Sequence, residues 1–383
     1  MMRFSFWMSL FVLSTLFSCK PESDASQPSE DNSSSIIFSG TYTKMEGHVN
    51  GVAKGIHVLK QKTDGTLELI RTVPGTINPS FISLSADGKR LYAVSETGAD
   101  VDTTAFLHTY EVKGDSLVLL DQKSTFGHYP CHVSANDGIV AISNYVGGKL
   151  VTYRLNEDGI PTDTLRTFTF TDHGEHPRQD APHLHSFTFS PDGRCGYACD
   201  LGADRIYQFG FSSDSLNIYP LKRTYSRMSM NSGPRHMAFH PSRNVVYVLN
   251  ELENRVVSCE YDPESGNVMR RAELPTTPVG FNQPNTAADV HIAPNGQFLY
   301  ASNRGHNSLA IFRLETGTSF TFVDFQELEG KTPRNFMISK NGKYLHVGLQ
   351  DTNGIESFKI LEDGRLSRIG KIDLATPVCL IEA

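Results

Sequence analysis

The sequence lacks the features that mark nucleic-acid-binding and membrane-spanning proteins. Acidic side chains outnumber basic ones by 42 to 35, and no basic cluster appears. A surface that reads phosphates needs concentrated Lys and Arg, so nucleic acid is excluded as a partner. The apolar run Phe4 to Phe17 is too short to cross a bilayer as a resident helix. Helical stretches of the length that a right-handed βαβ fold requires are also missing.

Cysteine spacing excludes a metal or redox motif. Besides Cys19 the chain has Cys131, Cys195, Cys199, Cys259 and Cys379, and no pair has the spacing of such a motif. Cys195 and Cys199 fall on one face of a predicted strand, about 13 Å apart and too far for a disulfide. We therefore interpret the five as small buried residues.

What the chain does contain favours strands and tight turns. It has 31 Gly, 19 Pro, 23 Phe and 14 Tyr but one Trp, and 39% of its residues are hydrophobic. That apolar fraction is enough for a core, which excludes a wholly disordered chain. Many short strands separated by turns are expected, so the fold class is predicted to be all-β.

The N-terminus is predicted to be an export segment. Residues 1–19 combine a basic start with a short apolar run and end in Leu16-Phe17-Ser18-Cys19. This ending is similar to a bacterial lipobox, in which Cys19 would be lipidated, and an ordinary signal peptide cut nearby is the alternative. Residues 20–35 are rich in Ser, Asp, Glu and Pro and are expected to form a flexible tether. The domain is then expected to span residues 36–383.

One sequence motif recurs through that domain: a predicted strand, a tight turn and a second strand that ends in a polar residue. Asp-Gly and Asn-Gly turns between apolar runs are strong hairpin signals. Four strands per unit and a period near fifty residues are typical of propeller blades. The turn markers are 46 to 55 residues apart, at Gly88, Gly138, Gly193, Asn244, Gly296 and Gly342.

The two ends of the domain predict how the ring closes. The last segment, Thr376 to Ile381, is similar to the start of a blade and then stops, whereas Ile36 to Thr41 is similar to a second strand without its first. One blade would therefore combine the C-terminal strand with three N-terminal strands. Six complete repeats and this shared one predict a seven-bladed β-propeller of four-stranded blades.

This topology brings two rings of residues to one face. In each blade the start of the innermost strand A meets the end of strand B, because the pair is antiparallel. The residues differ from blade to blade and concentrate charge, which a purely structural rim would not require. The A-start positions are Val378, Ser80, Cys131, His185, Arg235, Ala288 and Arg334, and the B-end positions are Thr41, Glu96, Tyr145, Leu201, Glu251, Arg304 and Gln350.

Structural roles compete with functional ones at these positions. Arg235 and Arg334 follow Pro and could cap turns between blades, and Glu251 could be a salt-bridge partner. His185 could be a core histidine. His183 and His185 could form an H-x-H metal pair, but no third ligand is identifiable, so no metal is predicted. His173 and His176, in the polar loop Thr171 to Asp180, are interpreted as solvated.

Eight ordered motifs resemble the bacterial propeller-type 6-phosphogluconolactonase family, which includes the fungal 3-carboxy-cis,cis-muconate cyclase. They cover nearly the whole domain, from about Ile36 to Ala383. The resemblance implies a seven-bladed propeller that opens or closes lactones without a required metal or other cofactor. The motifs are GTYT (40–43), NPSF (78–81), PHLHS (182–186), DLGADRI (200–206), GPRHMAFHP (233–241), NELENRV (250–256), SNRGHNS (302–308) and TPRNFMIS (332–339).

The resemblance places a histidine, a glutamate and arginines in the site, which fall on His185, Glu251, Arg235 and Arg304. We expect hydrolysis of a small sugar-acid lactone, with water activated by Glu251 or His185 and the oxyanion held by Arg235 and Arg304. The residues expected to contact substrate are Arg334, His236, Glu96, Gln350 and Tyr145.

The residues leave two other functions open: a lactonizing cycloisomerase, and a non-catalytic surface propeller that binds a glycan or a protein. The export segment departs from the cytosolic setting of phosphogluconolactone, so the substrate need not be the same. The protein is expected to be exported and held at the bacterial envelope only by a lipid on Cys19. The oligomeric state is left open.

Overall fold

Four of the Asp-Gly and Asn-Gly turns predicted from the sequence are tight turns in the structure. Gly88, Gly193, Gly296 and Gly342 have φ between 67° and 70°. This left-handed conformation suits glycine because it has no Cβ. Each of these turns connects the first two strands of one repeat.

A computed structural model describes residues 1–3, 34–47, 49–136, 138–212 and 217–383. Cys19 and most of the predicted export segment and tether lie outside these ranges. All regular elements of the described residues are strands, and none of these residues belongs to a helix long and apolar enough to cross a membrane.

The described residues form thirty strands. The first fifteen are β1 (Ser35–Thr41), β2 (Met45–Glu46), β3 (Val49–Asn50), β4 (Ile56–Gln61), β5 (Leu67–Val73), β6 (Ile82–Leu84), β7 (Arg90–Val94), β8 (Phe106–Lys113), β9 (Ser116–Ser124), β10 (His128–Ala135), β11 (Ile139–Val146), β12 (Lys149–Leu155), β13 (Pro161–Thr169), β14 (Leu184–Phe189) and β15 (Cys195–Asp200). The other fifteen are β16 (Arg205–Ser212), β17 (Asn217–Arg227), β18 (Pro234–Phe239), β19 (Val245–Asn250), β20 (Arg255–Tyr261), β21 (Val268–Pro275), β22 (Thr286–Ile292), β23 (Phe298–Arg304), β24 (Ser308–Leu314), β25 (Phe320–Glu327), β26 (Pro333–Ile338), β27 (Tyr344–Leu349), β28 (Gly354–Ile360), β29 (Leu366–Asp373) and β30 (Pro377–Glu382).

These strands form seven four-stranded antiparallel sheets among the described residues, and β2 and β3 form a separate short hairpin. The sheets are the seven predicted blades, so the chain is an all-β, seven-bladed propeller. Blade 1 has the order β30-β1-β4-β5, and blades 2 to 7 follow in chain order from β6-β7-β8-β9 to β26-β27-β28-β29. The predicted closure is confirmed, because β30 pairs with β1 in a ladder from Ile37–Glu382 to Thr41–Pro377.

The core lies between neighbouring blades. Tyr92 and Val94 of blade 2, for example, pack against Val133 and Ile142 of blade 3. The five cysteines of the domain are buried and unpaired, as expected from their spacing.

Most A strands carry a β-bulge near their start. The A–B register shifts at one residue in blades 3, 4, 5 and 7, at Cys131, His185, Arg235 and Arg334. In blade 6 the shift covers Ala288 and Asp289. A bulge breaks the alternation of side chains and changes the direction in which one of them points. The A-start residues identified from the sequence are therefore the positions where the strand geometry departs from a regular ladder.

Candidate active site

A cavity of about 630 Å³ opens at the face where the A strands begin and the B strands end. Six of the predicted site residues line it: His185, Glu251, Arg304, Arg334, Glu96 and Tyr145. We call it the funnel cavity. The other lining residues are Tyr42, Glu46, Gly47, Val49, Tyr129, Cys131, Val146, Arg178 and Thr286.

Glu251 is the carboxylate around which the cationic side of the funnel cavity is organised. Its position directly after β19 is fixed by a hydrogen bond from its backbone N–H to the Gly233 carbonyl, at 2.7 Å. The side chain is only 2% exposed. Oε2 accepts from Nε of Arg235 at 2.9 Å, and Oε1 contacts Nη1 of Arg178 at 2.6 Å and Nη2 of Arg304 at 3.0 Å. One buried carboxylate therefore neutralises part of the charge of three guanidinium groups.

The three arginines determine the protonation state of Glu251. Burial by itself would raise the pKa of this carboxyl, but Arg304, Arg178 and Arg235 outweigh burial and hold the pKa well below its ordinary value. Glu251 is therefore ionised at neutral pH and able to accept a proton. Its basicity is weak while all three guanidinium groups remain in contact.

Arg304 carries an unused donor beside this carboxylate. Its Nη2 also contacts the Ala287 carbonyl at 3.2 Å. Its Nε is buried and has no hydrogen-bond partner among the described residues. Arg304 also lines the funnel cavity, so its guanidinium lies beside any ligand that binds there.

His185 lines the funnel cavity from the bulge of β14. Burial, together with Arg235, His236 and the other nearby arginines, holds the pKa of His185 well below its ordinary value, so the ring is neutral at pH 7. Its Nδ1 lies 3.8 Å from Sγ of Cys131. Burial raises the pKa of the Cys131 thiol, which is therefore protonated and poorly nucleophilic.

Arg235 and His236 lie beneath the funnel cavity and are not among the described residues that line it. Nη1 of Arg235 contacts the Ala288 carbonyl and lies 3.2 Å from Nε2 of His236. Nδ1 of His236 lies 2.7 Å from Oδ1 of Asp289. Burial and Arg235 lower the pKa of His236 to about 4, so the ring is neutral at pH 7. It can then donate from Nδ1 to Asp289 and accept at Nε2 from Arg235. The chain Asp289–His236–Arg235–Glu251 supports the carboxylate from below.

The lining around Glu96 combines acidic and phenolic groups with one arginine, Arg334. Ser80 donates a hydrogen bond to Oε2 of Glu96, and Glu46 and Tyr129 lie on the same lining. Arg334 has its guanidinium 5.4 Å from the centre of the Tyr42 ring and donates to Oε1 of Gln350 at 3.4 Å. Gln350 is buried and contacts Arg334 but is not among the described lining residues.

Arg178 is a site residue that the sequence did not reveal. It belongs to the polar loop Thr171 to Asp180, in which the sequence supported an interpretation of His173 and His176 alone, and its guanidinium contacts Glu251 in the funnel cavity. The predicted topology could have indicated Arg178, because the connections between blades run on the face where the A strands begin. Tyr42, Glu46 and Tyr129 also line the funnel cavity and were not predicted. Each of them belongs to or adjoins a connection between strands on that face.

Comparison with known proteins agrees with this architecture. The model of the family described as "Lactonase, 7-bladed beta-propeller" matches residues 36–382. The chain belongs to this lactonase family. It is thus an enzyme of the lactone-hydrolysing class of carboxylic-ester hydrolases.

Named relatives span the whole domain. The 6-phosphogluconolactonase of Bacillus subtilis is 28% identical over 90% of this chain and 97% of its own, and that of Formosa agariphila is 32% identical over 87% and 95%. Among solved structures, the periplasmic gluconolactonase of Pseudomonas aeruginosa superposes with a TM-score of 0.85 and 25% identity. That match covers 91% of this chain and 99% of the other.

Proposed function

We propose that this lactonase hydrolyses a sugar-acid lactone in the funnel cavity, with Glu251 or His185 accepting a proton from water. The observation that carries this proposal is the buried Glu251 carboxylate at an open cavity, bound by three arginines and accompanied by the neutral His185. Both groups are unprotonated at neutral pH, which a general base requires.

The reaction assigns a role to each cationic group. Water adds to the lactone carbonyl and gives its proton to the base, the carbonyl oxygen becomes an oxyanion, and the ring C–O bond then breaks as the ring oxygen takes a proton. Arg304 is suited to bind the oxyanion, because it lines the funnel cavity and its guanidinium lies beside Glu251, one of the two candidate bases. Arg235 is not among the described residues that line the funnel cavity, so we assign it the positioning of Glu251.

The distribution of charge suits a sugar-acid lactone. Arg178, Arg304 and Arg334 offer donors to an anionic group and to the carbonyl, whereas Glu46 and Glu96 offer acceptors to sugar hydroxyls. We propose Tyr145 as a further contact to the sugar.

A pH-stat assay with glucono-1,5-lactone and its 6-phosphate tests the proposal, because each hydrolysis releases one proton at neutral pH. The wild type should exceed the spontaneous rate with at least one of them. Glu251→Gln and His185→Gln should each be assayed, and the base should be the residue whose loss lowers kcat by about 100-fold or more. Arg365→Gln, at an exposed ion pair with Asp324, is the matched control. Wild-type protein that binds these lactones without hydrolysing them would favour the binding module.

The cycloisomerase alternative uses the same groups in the direction of ring closure. Incubation with 3-carboxy-cis,cis-muconate distinguishes it, since a cycloisomerase would convert this diene to a lactone and lower its ultraviolet absorbance.

We also propose that the protein is exported and anchored through Cys19. The basic and apolar start of the sequence supports this, as does the likeness to a protein described as periplasmic. Cys19→Ala should move the protein from the membrane fraction to the soluble fraction, because an acyl chain is the attachment that this segment offers. An unchanged distribution would favour an ordinary signal peptide.

A further inference from the structure

Arg178 differs from the other two arginines that contact Glu251. Arg235 is 2% exposed and also bonded to the Ala288 carbonyl, and Arg304 is 12% exposed and also bonded to the Ala287 carbonyl. The side chain of Arg178 is 43% exposed. Apart from Glu251, its guanidinium contacts the Tyr145 hydroxyl at a long 3.4 Å. Two of the three guanidinium groups are thus fixed by the propeller, and the third is held mainly by the carboxylate.

The backbone that carries Arg178 is nevertheless firmly placed. The next residue, Gln179, is fully buried, and its Nε2 donates to the Leu201 carbonyl at 2.7 Å and to Oδ1 of Asp204 at 2.8 Å. Asp204 also accepts from the backbone N–H of Gly233, at 2.8 Å, directly before β18. The loop is therefore pinned to blades 4 and 5 at Gln179, while the long side chain of Arg178 reaches from this point into the funnel cavity.

An anionic ligand group would compete with Glu251 for Arg178. Oε1 of Glu251 is shared between Arg178 and Arg304, so Glu251 keeps Arg304 and Arg235 when Arg178 leaves. The anion, in contrast, gains a guanidinium fork that matches the oxygens of a phosphate or carboxylate in a bidentate manner. The exposure of Arg178 allows this exchange without any movement of a strand.

We propose that Arg178 recognises an anionic group of the substrate and leaves Glu251 to do so, which makes Glu251 a stronger base only when an anionic lactone is bound. This inference rests on the proposed lactone hydrolysis at the same site. What it adds is the residue that selects a lactone with a phosphate or carboxylate away from its ring carbonyl. Arg178 is then a specificity residue that also couples substrate binding to the activation of the base.

The electrostatics of the site agree with this coupling. Arg178 is one of the three cations that lower the pKa of Glu251, so its departure moves that pKa back toward the ordinary range of a carboxyl. A general base with a pKa nearer the working pH is more effective.

The kinetic test compares three lactones that differ at C6: 6-phosphogluconolactone, glucarolactone and gluconolactone, which carry a phosphate, a carboxylate and a hydroxymethyl group. Wild-type protein should prefer an anionic lactone. Arg178→Gln should lower kcat/KM for that lactone by about 100-fold, the loss of a bidentate charged contact, and raise kcat for gluconolactone several-fold, because Glu251 then lacks one of the cations that weaken it as a base. Arg365→Gln should match the wild type on all three. An equal loss on the anionic and neutral lactones, or no change on any of them, would overturn the proposal.

Two further measurements separate Arg178 from the general activity of the site. Added inorganic phosphite should accelerate hydrolysis of gluconolactone by the wild type several-fold but not by Arg178→Gln, because the free anion removes Arg178 from Glu251. Absence of this acceleration in the wild type contradicts the coupling.

Binding of 6-phosphogluconate, measured by calorimetry without turnover, should be at least 10-fold weaker in Arg178→Gln. If wild-type protein binds this anion through Arg178 but hydrolyses no lactone, the recognition stands and the proposed hydrolysis fails. Equal binding by the two proteins overturns the recognition.

Discussion

Arg235 and Glu251 form a buried ion pair, with 2.9 Å between Nε and Oε2 and each side chain only 2% exposed. The two residues are sixteen positions apart and lie at the start of strand A and directly after strand B of blade 5. Their contact follows from the antiparallel pairing of β18 and β19, in which Pro234 is opposite Asn250, and from the bulge at Arg235. The carboxylate that we propose as one of two candidate bases is therefore also part of the fold.

Replacing Arg235 by Met should destabilise the protein by about 3–5 kcal/mol, because removal of one partner leaves a buried charge without full compensation. Urea unfolding followed by fluorescence measures the change. Arg365→Met, in an exposed ion pair with Asp324, should have little effect and serves as the control. Equal stability of Arg235→Met and the wild type would show that Arg178 and Arg304 alone can compensate Glu251.

The stability difference between the wild type and Glu251→Gln should depend on pH. Its neighbouring arginines hold the folded-state pKa of Glu251 well below the unfolded value of about 4.3, so the ionised carboxylate stabilises the native state above that pH. This contribution is lost as the pH falls, and the wild-type advantage should shrink from about pH 5 toward pH 2. Urea unfolding of both proteins between pH 7 and pH 3 measures it. Glu260→Gln, at an exposed pair with Arg271, is the control, and parallel stability curves for the wild type and Glu251→Gln would contradict the assignment.

Cys131→Ala should retain most of the lactonase activity, although Cys131 lines the funnel cavity and contacts His185. Burial raises the pKa of its thiol, so a nucleophilic thiolate is not formed at neutral pH. Steady-state kinetics measure the activity of Cys131→Ala, and reaction of the wild type with iodoacetamide tests the expected low reactivity of the Cys131 thiol. A loss of activity near that of Glu251→Gln would instead indicate a covalent mechanism through the thiol.

Deletion of residues 376–383 should lower the melting temperature strongly or abolish cooperative unfolding. It removes β30, the innermost strand of blade 1, and exposes the edge of β1. Leu380, whose side chain packs with Ile37 and Ile355, also leaves the core. A synthetic peptide of the deleted residues should restore part of the stability. A deletion variant that melts like the full-length protein would contradict a closure that depends on this strand.

Local sequence patterns determined the blades. Alternating apolar residues and Asp-Gly or Asn-Gly turns depend on near neighbours in the chain, so their roughly fifty-residue spacing predicted the number of blades and the closure by β30. Antiparallel pairing then relates the two ends of each hairpin. For this reason the repeat pattern alone assigns Glu251, His185, Arg304 and Arg334 to one face of the ring.

Only the tertiary structure decided how deeply each site side chain is buried and which groups it contacts. The bulge in β18 and the bonds to Ala288 and His236 place Arg235 below the cavity, and an A-start position does not reveal that depth. Arg178 could not be assigned from periodicity, because its loop is irregular and is held by hydrogen bonds from Gln179 to the distant Leu201 and Asp204. Such contacts join residues that no local pattern connects, and only the closed ring brings them together.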